Sequence, residues 1–166
     1  MAGSIGSVIG RMIDYFGNDV RRVNHSLKVY AFSKSLGELE GIVGEQLAII
    51  EAAALLHDIG IKESERKYNS SAGKYQEIEG PPVASEILKE EGFDVEFIKR
   101  VCYIVGNHHT YSKIDGMDFQ IIVEADFLVN IFEEGMNKEQ VKTIKDKYFR
   151  TGTGIAYMDA LYTDGR

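Results

Sequence analysis

The chain's four histidines and two of its aspartates stand where polar side chains are costly. His57 and Asp58 are adjacent and end the Ala-rich apolar run 47–56, in which only Glu51 is charged. A run this apolar is buried, and a buried imidazole beside a buried carboxylate needs a partner. A metal ion is one such partner. The alternative is local: His57 favours the negative end of a helix and Asp58 starts a turn. Asp126 is the second anomaly, because its helical neighbours include Phe119, Ile122, Val123 and Val129. An unpaired carboxylate on that face would cost several kcal/mol, roughly. On a solvated face an aspartate would sit with Glu124 or Asn130 instead. His25 opens an apolar stripe with Val29, Phe32 and Leu36, opposite a second stripe of Val20, Val23, Leu27 and Tyr30. Taken alone, His25 reads as a core histidine bonded to a carbonyl. His108 and His109 sit together where an apolar helical stretch gives way to Asn107 and Thr110.

Almost every element that must position these residues reads as helix, and β-branched alternation is short throughout. The pattern predicts a first helix over 5–16, stopped by Gly17, and a second capped by Asn18 or Asp19 and stopped near Gly37. A third runs over 45–58 with Gly60 as its end, so that His57 and Asp58, about 100° apart on a helix, converge where the geometry loosens. Residues 61–80 are polar and read as a surface loop beside the His-Asp pair, with Lys62, Arg66 and Lys74 as candidate phosphate contacts or simply solvated charges. Pro81 and Pro82 begin the next helix, closed by Gly92. Asp94 caps a helix over 95–106, Asp118 one over 119–134, and Asn137 one to about residue 149. Thr151-Gly152-Thr153-Gly154 reads as a hinge before a docking helix. The expected fold is an all-α, single-domain bundle of about six to eight helices over 1–166, with its core at 18–130 and a helical extension at 131–166.

Composition narrows the partners. A net charge of −7 opposes bulk nucleic-acid or anionic-membrane binding but not a small phosphorylated substrate held through a metal. The single cysteine, Cys102, forms no internal disulfide and fits a reducing compartment. Residues 1–10 have neither the basic start nor the apolar core of a signal peptide, and no apolar run approaches the ~20 residues of a membrane span. The expected location is cytoplasmic. Oligomeric state is open.

In order, a histidine on an early helix, a His-Asp doublet on a later one and an aspartate beyond resemble the HD-domain superfamily of metal-dependent phosphohydrolases. Leu56-His57-Asp58-Ile59-Gly60 has the form of that family's commonest motif, and Ala125-Asp126 stands where its final aspartate falls. The resemblance runs from about residue 18 to 130. It implies an all-helical core in which His25, His57, Asp58 and Asp126 bind a divalent ion. Relatives with two ions also use histidines like His108 and His109, and one just before a proline. That place is Gly80 here, which leaves Glu79 to replace the missing ligand or the second site empty. The lysine that often follows the motif directly is displaced to Lys62. The Gly-Tyr-Pro signature of the cyclic-dinucleotide phosphodiesterases is missing, and Gly116-Met117-Asp118 stands in that region.

Two imidazoles and two carboxylates suit Mn, Fe, Ni, Co, Zn or Mg rather than soft copper. Such an ion lowers the pKa of water and neutralises charge on phosphorus, with Asp58 orienting the water and Lys62 assisting at the phosphate. The expected activity is hydrolysis of a phosphomonoester or phosphoanhydride, nucleotides included. Two rivals share the residues: a non-catalytic nucleotide or metal sensor, and a di-iron oxygenase.

Overall fold

The computed structural model describes residues 3–163; the other residues of the expected 1–166 domain lie outside them. Among the described residues there are nine α-helices, one short 3-10 turn at Tyr111–Lys113 and no strand. They are α1 (Ile5–Phe16), α2 (Val20–Leu39), α3 (Gly44–Leu56), α4 (Ile61–Tyr68), α5 (Gly73–Glu90), α6 (Val95–Val105), α7 (Met117–Glu133), α8 (Lys138–Tyr148) and α9 (Gly152–Tyr162).

Helix α3 is the centre. Ala52, Ala53, Ala54, Leu55 and Leu56 are fully buried, so the helix is apolar on every side and is enclosed by α1, α2, α6 and α7. The small alanines let these neighbours approach closely. Helix α2 packs on α3 and α7 with Val23, Val29 and Leu36 buried, which carries His25 inward, while Val20 at its start is exposed. Helix α9 lies on α7, α8 and α2.

Side-chain caps set several boundaries. Ser4, Asp19, Asp94 and Asn137 each accept the backbone N–H three residues on, and Asn137 forms a reciprocal box with Gln140. Gly17 and Gly92 close their helices in the left-handed region, at φ of 60° and 84°.

Four expectations change. Gly37 does not stop α2; it faces Leu47 and Ile50, and the left-handed turn comes at Gly41. The expected loop 61–80 is mostly helix: α4, a four-residue link and the first turns of α5. Only Ile61 and Ser64 of α4 are buried, so its exposed charges resemble loop composition. Pro81 and Pro82 lie inside α5 rather than at its start. Each removes an intrahelical bond, and packing on α4 and α6 carries the helix through. Gly60 is not a left-handed stop. A Cβ there would fall 2.5 Å from Gly80 N and 2.6 Å from Gln76 O, so the glycine lets the His-Asp turn lie against α5.

Two polar residues also change role. Gly116, not Asp118, precedes α7; Asp118 is buried and takes the Arg100 guanidinium at 2.6 Å. Glu124 is fully buried, not solvated: it accepts from Thr151 Oγ1 at 2.6 Å, Thr151 N at 3.1 Å and Arg150 N at 3.0 Å. The Thr-Gly-Thr-Gly stretch is therefore the capped start of α9, locked onto α7, and not a hinge.

Candidate metal centre

Four elements deliver side chains to one point. His25 comes from α2, His57 from the C-terminal end of α3, Asp58 from the turn after it, and Asp126 from the middle of α7. His25 Nε2 lies 3.1 Å from His57 Nε2, 3.2 Å from Asp58 Oδ2 and 3.1 Å from Asp126 Oδ1. His57 Nε2 lies 3.3 Å from Asp58 Oδ2 and 3.4 Å from Asp126 Oδ1. Ligands at about 2.1 Å from one ion in adjacent octahedral positions sit about 3 Å apart, so this spacing suits a shared cation.

The other ring nitrogens decide what the cluster presents. His57 Nδ1–H donates to the Ala54 carbonyl at 2.6 Å. His108 Nδ1–H donates to the Val105 carbonyl at 2.8 Å. His25 Nδ1–H donates to Glu133 Oε1 at 2.7 Å, while Lys28 holds the other Glu133 oxygen at 2.5 Å. With each Nδ1 committed as a donor, each neutral imidazole turns a bare Nε2 lone pair toward the cluster. The contacts between those nitrogens and the carboxylates are short but poorly aligned. His108 Nε2 and Asp126 Oδ1 are buried and have no hydrogen-bond partner among the described residues. Buried acceptors facing one another without donors require a cation or extra protons.

Without metal, protons answer that demand. Burial works against the charged form of His25, yet contacts with Asp126 and Asp58 outweigh it and lift its pKa to about 10. His57 is raised for the same reason against stronger burial. Burial pushes the two carboxylates upward, but His57 and His25 hold both well below the usual range, with His108 also acting on Asp58. The donor set therefore fits a divalent ion: His25, His57 and Asp58 form one potential ligand group.

A second group adjoins it. Asp58, His108 and His109 offer ligand atoms within 4.8 Å of one another, and His108 Nε2 lies 3.4 Å from Asp58 Oδ1. Burial and the neighbouring His108 lower His109 to about 4, which leaves it neutral at pH 7. Glu79 does not join this group. Lys67 at 2.9 Å and Tyr68 at 3.1 Å hold its carboxylate. Gln76, one turn earlier on α5, stands there instead, with Oε1 3.2 Å from His109 Nε2. Gly80 packs against Gly60 and Val105.

The cluster opens into a cleft of about 630 Å³ lined by His25, Asp58, Asp126 and His109, with Arg21, Arg22 and Gln76 among the other walls. The three cations expected there point elsewhere. Lys62 donates to the Tyr15 carbonyl at 3.0 Å and covers the Tyr15 ring. Arg66 is paired with Glu63, and Lys74 lies over the Tyr75 ring. None of the three lines the cleft, so Lys62 is not placed to assist there. Sequence reasoning missed Arg21, Gln76 and Glu133. The signal for Arg21 and Glu133 was spacing: Arg21 is one turn before His25, and Glu133 is two turns after Asp126.

A family model for the HD domain matches residues 22–148, and the chain belongs to the HD-domain family. The fold is similar to the crystal structure of a predicted HD superfamily hydrolase from an uncultured Thermotogales bacterium, with a TM-score of 0.67 and 21% identity over 94% of this chain and 83% of that one. No curated protein matches. Within that family this chain carries a His/Asp cluster that could hold a divalent metal. No described helix is long and apolar enough to cross a membrane.

Proposed function

We propose that this HD-domain protein is a metal-dependent phosphohydrolase that cleaves a phosphomonoester with a water nucleophile. The observation that carries the reading is the convergence of His57 Nε2 and two carboxylates at 3.1 to 3.2 Å from His25 Nε2, at an open cleft. His25, His57, Asp58 and Asp126 would hold the ion, and Asp58, shared with His108 and His109, could serve a second. Such an ion, when bound, supplies Lewis acidity, lowering the pKa of water and offsetting charge on the phosphoryl group.

The protein's own groups do the rest. Asp58 presents one oxygen toward His25 and His57 and the other toward His108, so it can orient water between the two ligand groups. The His109 ring stands neutral at the cleft wall, held by Gln76, where it adds no positive charge beside the cluster. Water attacks phosphorus, the ester P–O bond breaks, and the leaving oxygen takes a proton to give an alcohol and inorganic phosphate. The polar cleft provides an open path for both products.

Metal analysis of the purified protein, followed by hydrolysis of p-nitrophenyl phosphate with each of Mn, Fe, Ni, Co, Zn and Mg, tests this. Wild type should bind metal and release phosphate; His57→Ala and Asp58→Asn should lose both. Full metal content and activity in either variant would sink the assignment. Tight nucleotide binding without turnover under every metal would favour a sensor, and oxygen uptake by an iron-loaded form an oxygenase.

A further inference from the structure

We propose that the substrate is a small, hydroxyl-rich compound carrying one phosphoryl group and no aromatic base, with Arg21 contacting that group at the mouth of the cleft. This rests on the phosphohydrolase reading and narrows it.

The walls carry the first part of the argument. A cleft of about 630 Å³ has room for a nucleotide, but Ile61 is the only apolar residue among those lining it. No phenylalanine or tyrosine lines it among the described residues, and nucleobase recognition commonly uses such a stacking face. The imidazoles present are committed: both nitrogens of His25 face the cluster and Glu133, and the His109 ring packs on His108 with centroids 4.0 Å apart and on the backbone of Gly73. What the walls offer are the neutral donors and acceptors of Ser71 and Asn130, together with the Glu134 carboxylate, while the Gln76 amide is held by the Ser71 carbonyl and His109. That set pairs with hydroxyl groups, which both donate and accept.

Charge carries the second part. Two adjacent arginines reach the cleft, and they differ. Arg22 is paired with Asp19 at 3.1 Å and with Glu65. The Arg21 side chain has no ion pair or hydrogen bond among the described residues. One helical turn before His25, it lies on the same face of α2, so its guanidinium can reach across the cluster. A guanidinium grips phosphate oxygens through two parallel N–H donors. Beyond it the rim is acidic, with Glu133 and Glu134. One uncommitted cation against that rim matches one phosphoryl group. The extra charges of a triphosphate would find no second uncommitted guanidinium and would face the Glu134 carboxylate.

The test is a substrate comparison with the metal-loaded protein: glucose 6-phosphate and glycerol 3-phosphate against AMP and ATP. The hydroxyl-rich monophosphates should show kcat/KM at least about tenfold above AMP, with ATP poorer still. Arg21→Ala should raise KM by about tenfold or more with a smaller change in kcat, and Arg21→Lys should restore part of the loss, as expected for a charged contact. Calorimetric titration of glucose 6-phosphate into the metal-free protein reads the same contact without turnover, and Arg21→Ala should abolish that heat. Preference for AMP or ATP, or an unchanged Arg21→Ala protein, overturns this inference and leaves the phosphohydrolase reading standing. Failure to hydrolyse any phosphoester with any metal overturns both.

Discussion

Glu133 offers the sharpest test of the candidate metal centre. Its Oε1 accepts from His25 Nδ1 at 2.7 Å, and Lys28 fixes its other oxygen at 2.5 Å. Burial pushes the Glu133 pKa up, but Lys28 and His25 outweigh it and keep the group ionised at neutral pH. A carboxylate behind a ligating imidazole fixes its tautomer and raises its basicity. Glu133→Gln keeps an oxygen acceptor and loses the charge; Glu133→Ala loses both. Partners of this kind are worth about 10- to 100-fold in metal affinity, or roughly 1.4 to 2.7 kcal/mol. Calorimetric titration of Mn²⁺ into wild type and both variants should therefore give a graded series, with Gln near the lower figure and Ala near the upper. Melting temperatures of the metal-free proteins should shift less than those of the loaded ones, because the defect lies in ligand orientation. If Glu133→Ala binds Mn²⁺ as wild type does, the carboxylate is a surface partner of Lys28 and nothing more.

Other perturbations follow from the same geometry. In metal-free protein the folded His25 pKa, about 10, lies above the ordinary value of 6.5, so the stability it contributes is complete below pH 6.5 and is lost as pH rises toward 10. At about 1.4 kcal/mol per pKa unit the ceiling is about 5 kcal/mol. Thermal melts in chelator should fall across that window, while metal, which displaces the protons, should remove the trend; identical pH profiles with and without metal would refute it. Gly60→Ala sets a Cβ 2.5 Å from the backbone of Gly80 and should cost about 3 kcal/mol or more in urea unfolding, whereas Gly80→Ala meets only the Val105 methyl at 2.8 Å and should cost about 1 to 3 kcal/mol. Equal losses would argue against a rigid crossing. Glu124→Gln turns an amide toward the N–H groups of Arg150 and Thr151 and should destabilise by about 2 to 4 kcal/mol, read as an earlier urea midpoint; an unchanged midpoint would mean α9 does not depend on that anchor.

The fold was legible in the sequence where local chemistry sets it. Asp19, Asp94 and Asn137 cap as their types suggest, and Gly17 and Gly92 terminate as theirs do. Helix α4 was hidden because an eight-residue helix with two buried side chains owes its existence to α5 and carries almost no period of its own. That hid Gln76 in turn, since 61–80 read as loop. The cluster residues stood out because polar groups in apolar surroundings are anomalous. Arg21 and Glu133 did not, because a charged residue near a helix end is ordinary until a partner 108 positions away, as His25 is from Glu133, gives it a role.

That long-range partner has a physical reason. His57 and His108 follow the same design. Each stands just past a helix end and donates Nδ1–H to a carbonyl three residues back. Ala54 and Val105 belong to the last turns of α3 and α6, where carbonyls have no intrahelical N–H. Two helix ends thus fix two imidazole tautomers with backbone alone, and satisfy their own free acceptors in doing so. His25 cannot use this device. It lies six residues into the 20-residue α2, where the carbonyls one turn back are already taken by the helix. An acceptor for its Nδ1–H has to come from another element, and α7, which already supplies Asp126, supplies Glu133 two turns later. The pairing of Asp126 with Glu133 on one helix is thus what a mid-helix histidine requires if it is to face the cluster with a bare Nε2. By that argument the order of sensitivity in metal binding should follow the device: changes at residues 54 and 105, which keep the backbone carbonyl, should be tolerated far better than loss of the Glu133 carboxylate.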